Sequence, residues 1–150
     1  MTRLEIRAAV RRLINEPSPA IWSDADLYSF VDGAFRRIRT IDLRLTKTRC
    51  PDLVTDTDTP RIPGNGDWDD LFVLFATARC FEQDRQNYPA VKYMNEFETK
   101  LTDFINFLDD LSADDWAAQY GEENNGQFDV GTNENDYVKD VYFERVQEEV

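Results

Sequence analysis

The sequence contains no histidine. That absence removes imidazole as a general acid or base, and with it Ser-His-Asp and Cys-His nucleophile activation and His-ligated zinc. Cysteine is nearly as scarce. Cys50 and Cys80 fall in different expected elements, so both read as reduced thiols, Cys80 as a small core residue on an apolar helix and Cys50 in a loop, with a disulfide or metal role as the alternative. No apolar run reaches the roughly 18 residues that a membrane-spanning helix needs, and no membrane contact is expected. The opening Met1-Thr2-Arg3-Leu4-Glu5 lacks the apolar stretch of a signal peptide, so a cytoplasmic product is expected. A phosphate-cradling loop is missing as well: Gly64-Asn65-Gly66 is not followed by the Lys and Ser/Thr of a P-loop and reads as a turn into a helix near Asp67. Bases are outnumbered, 17 Lys and Arg facing 30 Asp and Glu for a net charge of -13. The carboxylate pairs Asp69-Asp70, Asp109-Asp110 and Asp114-Asp115 follow from that abundance. They read as helix-terminal or solvated charge in preference to a glycosidase or two-metal site. Neither enzymatic activity nor a cofactor or bound metal is expected.

What the chain does have is enough apolar material for one core. At 150 residues, with 41% hydrophobic and 13% aromatic residues, it is long enough to bury most of its apolar surface in a single domain. Its most legible stretch runs from Leu13 to Ala34. Pro17 and Pro19 push Glu16 and Ser18 out of the helical region and end a first helix. Ser23 then caps a second helix, with Asp24 and Asp26 at the positive end of its dipole, and Trp22 is placed to reach Leu27 as a hydrophobic staple. Trp22, Ser23 and Leu27 therefore form a structural joint, without a catalytic group.

The rest of the punctuation predicts an all-α chain: a bundle of about four helices with a long loop between the second and third and an extended C-terminal arm. Thr2 and Glu5 form a capping-box pattern for a first helix over about 3 to 15, with Arg3, Arg7, Arg11 and Arg12 off its apolar stripe. The stripe Leu27, Phe30, Val31, Ala34, Ile38, Ile41 and Leu45 predicts a second helix from Asp24 to about Lys47. Residues 48–66, rich in Pro, Thr, Asp and Gly, cannot sustain a helix and are functional or partly strand-like. A third helix, about Trp68 to Arg85, is apolar nearly all round and therefore central. The fourth, with Pro89 in its first turn, carries Val91, Met94, Phe97, Leu101, Phe104, Ile105, Leu108 and Leu111 down one face.

Charge divides the chain. Residues 1–49 hold 10 bases against 6 acids, net +4, residues 50–111 hold 5 against 13, net -8, and residues 112–150 hold 2 against 11, net -9. Such asymmetry suits head-to-tail packing of identical subunits, with Arg36, Arg37 and Arg39 as packing residues on the basic side; a solvated surface with uneven charge is the bland alternative. For the arginines of the first helix, subunit packing is preferred over phosphate contact. Two regions follow, a helical domain over 1–111 and an acidic arm over 112–150. The arm keeps Phe128, Val130, Tyr137, Val138, Val141, Tyr142, Phe143 and Val146, too many anchors for an inert solvating tail, and is expected to order on a partner.

Residues 1 to about 111 carry a resemblance. A short first helix with a Leu13-Ile14-Asn15 turn is followed by Ile21-Trp22-Ser23-Asp24-Ala25-Asp26-Leu27-Tyr28 and by Phe30-Val31-Asp32-Gly33-Ala34-Phe35-Arg36-Arg37-Ile38. With Arg61-Ile62-Pro63, Trp68-Asp69-Asp70-Leu71 and Tyr93-Met94-Asn95-Glu96-Phe97, the pattern resembles the head-to-tail connector (adaptor) proteins of tailed bacteriophages. The resemblance implies a virion neck protein made in the host cytoplasm and assembled as a homo-oligomeric ring, commonly of twelve subunits, beneath the portal protein. The ring would extend the DNA channel and dock the tail or neck protein. The arm would then bind the portal, and the loop from Cys50 to Asn65 would face the tail or the neighbouring subunit. An acidic lumen would let double-stranded DNA pass without sequence-specific binding. Two rivals are an acidic DNA-mimic inhibitor and a carboxylate-dependent hydrolase that needs a divalent metal.

Overall fold

A computed structural model describes residues 1–16 and 21–120, with Tyr120 through its backbone alone. Among these residues there are five helices and no strand: α1 (Arg3–Leu13), α2 (Asp24–Arg39), α3 (Asp70–Gln83), α4 (Asn87–Asp109) and α5 (Ala113–Tyr120). The all-helical bundle expected from the sequence is what the chain forms. Helices α1 to α4 lie in one compact unit, Met1–Asp110, and α5 belongs to a second that begins at Leu111.

Local chemistry sets the helix boundaries. The Thr2 hydroxyl accepts from the Glu5 amide at 3.1 Å while the Glu5 carboxylate accepts from the Thr2 amide at 2.9 Å, a complete capping box. Two further α1 amides are satisfied from the long loop: Arg3 N donates to the Asp58 carbonyl at 2.8 Å and Leu4 N to the Asp56 carbonyl at 3.2 Å. Helix α1 stops where Asn15 adopts a left-handed φ of 57°, a conformation Asn tolerates better than most residues. In α2 the expected cap is present in both directions, Ser23 and Asp26 exchanging bonds of 3.0 and 3.1 Å.

The second helix is shorter than its stripe predicts. It ends at Arg39 and not near Lys47. Thr40 turns its hydroxyl onto the Arg37 carbonyl at 2.6 Å, and the Asp42 carboxylate accepts from Arg44 N at 2.8 Å, local bonds that compete with continued helix. Leu45 is nonetheless buried, reached by a turn instead of a helical face. The segment 48–66 is not strand-like. It is an irregular loop whose Cys50, Leu53 and Ile62 are buried.

Helix α3 is the axis of the first unit and contacts α1, α2 and α4. Its buried residues, among them Leu71, Phe72, Ala76, Ala78 and Cys80, cover much of its circumference, as an all-round apolar helix requires. Neighbouring helices run antiparallel: Arg3 and Arg11 of α1 meet Tyr28 and Asp24 of α2, Phe35 meets Phe72, and Phe75 and Phe81 meet Phe97 and Tyr93. Phe35, Phe72, Phe97 and Phe104 are fully buried, each contributing roughly 1.5 to 3 kcal/mol by removal from water. On α4 the expected apolar face holds at Phe97, Leu101, Phe104 and Leu108 but fails at Val91, which is 57% exposed. Ala90, seven residues before Phe97, is the buried residue there, and Val91 falls about 120° off that face. Gly64, at φ +113°, brings the backbone against the Trp68 indole, which packs on Phe104 and Phe107.

Within the second unit, α5 starts with its own capping box, Ser112 and Asp115 exchanging bonds of 3.1 and 3.2 Å. The first residues of the acidic region are therefore helical.

Candidate assembly surfaces

The joint is built around one buried charge cluster. Arg11 leaves the last turn of α1 only 5% exposed. Its guanidinium donates to Glu16 Oε2 at 3.2 Å, to the Trp22 carbonyl at 3.1 Å and to Asp24 Oδ1 at 2.6 Å. Glu16 in turn accepts from the amides of Ile21 and Trp22 at 3.1 and 3.0 Å, and its own amide donates to the Arg11 carbonyl at 2.9 Å. These bonds fix the chain on both sides of residues 17–20. The Arg11 hydrogen bond, with Arg7 nearby, holds the Asp24 carboxyl below its usual range.

Sequence reasoning located the joint and missed this network. Its signal was present: Arg3, Arg7 and Arg11 recur at four-residue intervals along one flank of α1. Arg7 donates to Asp24 Oδ2 and to the Tyr28 hydroxyl, both at 3.0 Å, Tyr28 donates to Asp56 Oδ1 at 3.1 Å, and the Arg3 guanidinium lies 3.5 Å from the Tyr28 ring centre. Three of the four arginines expected to pack against other subunits thus tie α1 to α2 and to the loop. Arg12, outside this network, is exposed.

The remaining expected site residues separate in the same way. Trp22 is half-buried and meets Phe30 edge-on, with ring centres 5.6 Å apart, and Leu27 is fully buried. Arg39 reaches into the loop, donating to the Cys50 carbonyl at 2.8 Å and pairing with Asp52. Arg37 pairs with Glu98 of α4 at 3.3 Å with both side chains nearly half exposed, a contact that contributes little to stability. Arg36 is exposed. Phe128, Val130, Tyr137, Val138, Val141, Tyr142, Phe143 and Val146 lie outside the described residues.

The carboxylate pairs are dispersed. Asp69 is buried with Oδ2 2.5 Å from the Met1 ammonium, Asp70 pairs with Lys100 at 3.3 Å, and Asp115 caps α5. Among the described residues, no group of three or more His, Cys, Asp or Glu is arranged to hold a metal ion. Cys50 and Cys80 are buried free thiols. Burial pushes them up to about 11 and about 12, far from the thiolate form that reacts.

The first unit carries an open groove of about 850 Å³ with α3 as its floor and α1 and α4 as its walls. Leu13, Val73, Leu74, Trp68 and Tyr93 make much of it apolar, and Asp70, Glu96, Asp103, Arg12 and Lys100 stand along it. Compared with known protein families, curated proteins and solved structures, the chain matches none.

Proposed function

We propose that this protein is a structural head-to-tail connector of a tailed phage, which forms a ring beneath the portal and offers the docking surface for the tail. The reading rests on the resemblance over residues 1 to about 111. Its principal structural support is the use of the residues that carry that resemblance: Trp22, Ser23, Asp24, Asp26 and Leu27 build the joint, Phe35 and Ile38 enter the core, and Trp68 opens the third helix against the fourth. An all-helical body with a wide lateral groove suits a subunit that must meet copies of itself as well as two different neighbours. In this reading the acidic arm with its eight apolar anchors attaches to the portal, and the net charge of -13 keeps the channel from gripping passing DNA.

The charge also favours a second reading, an acidic protein that mimics DNA and inhibits a DNA-binding enzyme. Native mass spectrometry with and without the cognate portal protein separates the two. A connector forms a multi-subunit ring bound to the portal. A mimic stays a monomer or dimer that ignores it, and that result would overturn the proposal.

A further inference from the structure

We propose that copies of this chain join through Leu43 of one copy seated in the groove between α1 and α4 of the next. The inference deepens the connector reading and rests on it for the expectation that copies assemble head to tail. Leu43 is 97% exposed, more than any other large apolar residue described. A single exposed leucine is ordinary; this one is held out by its surroundings. Two residues on, Leu45 is buried, and the turn between them is pinned by Arg44 N to Asp42 Oδ1 at 2.8 Å and Leu45 N to the Asp42 carbonyl at 3.1 Å. Cys50 N donates to the Thr46 carbonyl at 2.7 Å and closes the segment behind it. A knob presented this way loses little freedom on docking.

The groove complements it in chemistry and in charge. Its floor and walls offer Leu13, Val73, Leu74 and Tyr93 to an aliphatic side chain. The knob segment 41–49 carries three bases against one acid, while Asp70, Glu96 and Asp103 stand in the groove with Arg12, Lys100 and the Met1 ammonium, the last of which Asp69 already neutralises at 2.5 Å. Knob and groove are different surfaces of the same subunit, so the contact is heterologous and propagates from copy to copy, closing as a ring if the rotation permits.

Thr99, exposed on the groove wall, allows a direct test in the full-length chain. Leu43→Cys and Thr99→Cys variants are mixed and treated with a short bis-maleimide; the buried Cys50 and Cys80 serve as silent background. A covalent dimer is expected in the mixture and not in either variant alone. No such dimer at concentrations up to about millimolar, or a cross-link from Thr99→Cys to added portal protein in its place, would overturn the proposal. Leu43→Asp should weaken self-association by about tenfold or more with an unchanged melting temperature, and undiminished association would also overturn it. The two readings fail separately. A chain that binds portal as a ring without the cross-link refutes the knob, whereas one that cross-links and ignores portal refutes the connector.

Discussion

Replacing Arg11 by alanine is the sharpest test of what holds the first two helices together. The guanidinium is 5% exposed and serves Glu16, Trp22 and Asp24 at once. Its loss takes the Arg11 guanidinium away from the Glu16 carboxylate, whose side chain is 11% exposed. Breaking a buried ion pair from one side costs about 3 to 5 kcal/mol, because the remaining charge stays desolvated. Asp24 adds little to that figure, since its side chain is 44% exposed and water can replace the partner. For a chain of this size the loss corresponds to a fall in melting temperature of about 10 to 20 °C. Urea and thermal unfolding of Arg11→Ala against the parent would measure it. Arg11→Met with Glu16→Leu should recover a large part of it. A loss below about 1 kcal/mol would refute the claim that this cluster holds the joint.

Gly64→Ala should cost about 1 to 3 kcal/mol from backbone strain and more from collision, since a Cβ there would stand 2.5 Å from Trp68 Cδ1; chemical denaturation measures both together. Ser23→Ala should cost about 1 kcal/mol through the lost cap, and Trp22→Ala, with a half-buried ring, should cost about 2 kcal/mol, less than the 3 to 5 typical of a fully buried aromatic. Asp24 has a folded-state pKa below its unfolded one, so its stabilising contribution is present above the unfolded value and is lost as pH falls through the folded value. Asp24→Asn should therefore flatten the acid limb of a stability-pH profile below about pH 4. Cys50 and Cys80 should resist a thiol reagent at pH 8 in the native chain and react once urea unfolds it.

The joint was legible in the sequence because capping is local. Ser23 and Asp26, like Thr2 and Glu5, satisfy each other across three residues, and no distant contact is needed to place them. The central position of α3 was legible for a related reason, since a helix apolar all round has to be covered on all sides. The length of α2 was not, because Ile41 and Leu45 continue a helical stripe by spacing while Thr40 and Asp42 redirect the backbone through their side chains. Val91 was not, because its three-residue step to Met94 imitates helical spacing while the smaller Ala90, seven residues before Phe97, takes the buried line. The Arg11 cluster and the groove depend on which helices become neighbours. A pattern read along one strand of sequence does not carry that adjacency.

The connector reading meets its most direct test in a cryo-EM reconstruction of this protein mixed with its cognate portal. A connector should appear as a closed ring of helical subunits stacked coaxially on the portal, its channel continuous with the portal's own. Portal particles that remain bare at saturating protein, with this chain free in solution, would contradict it.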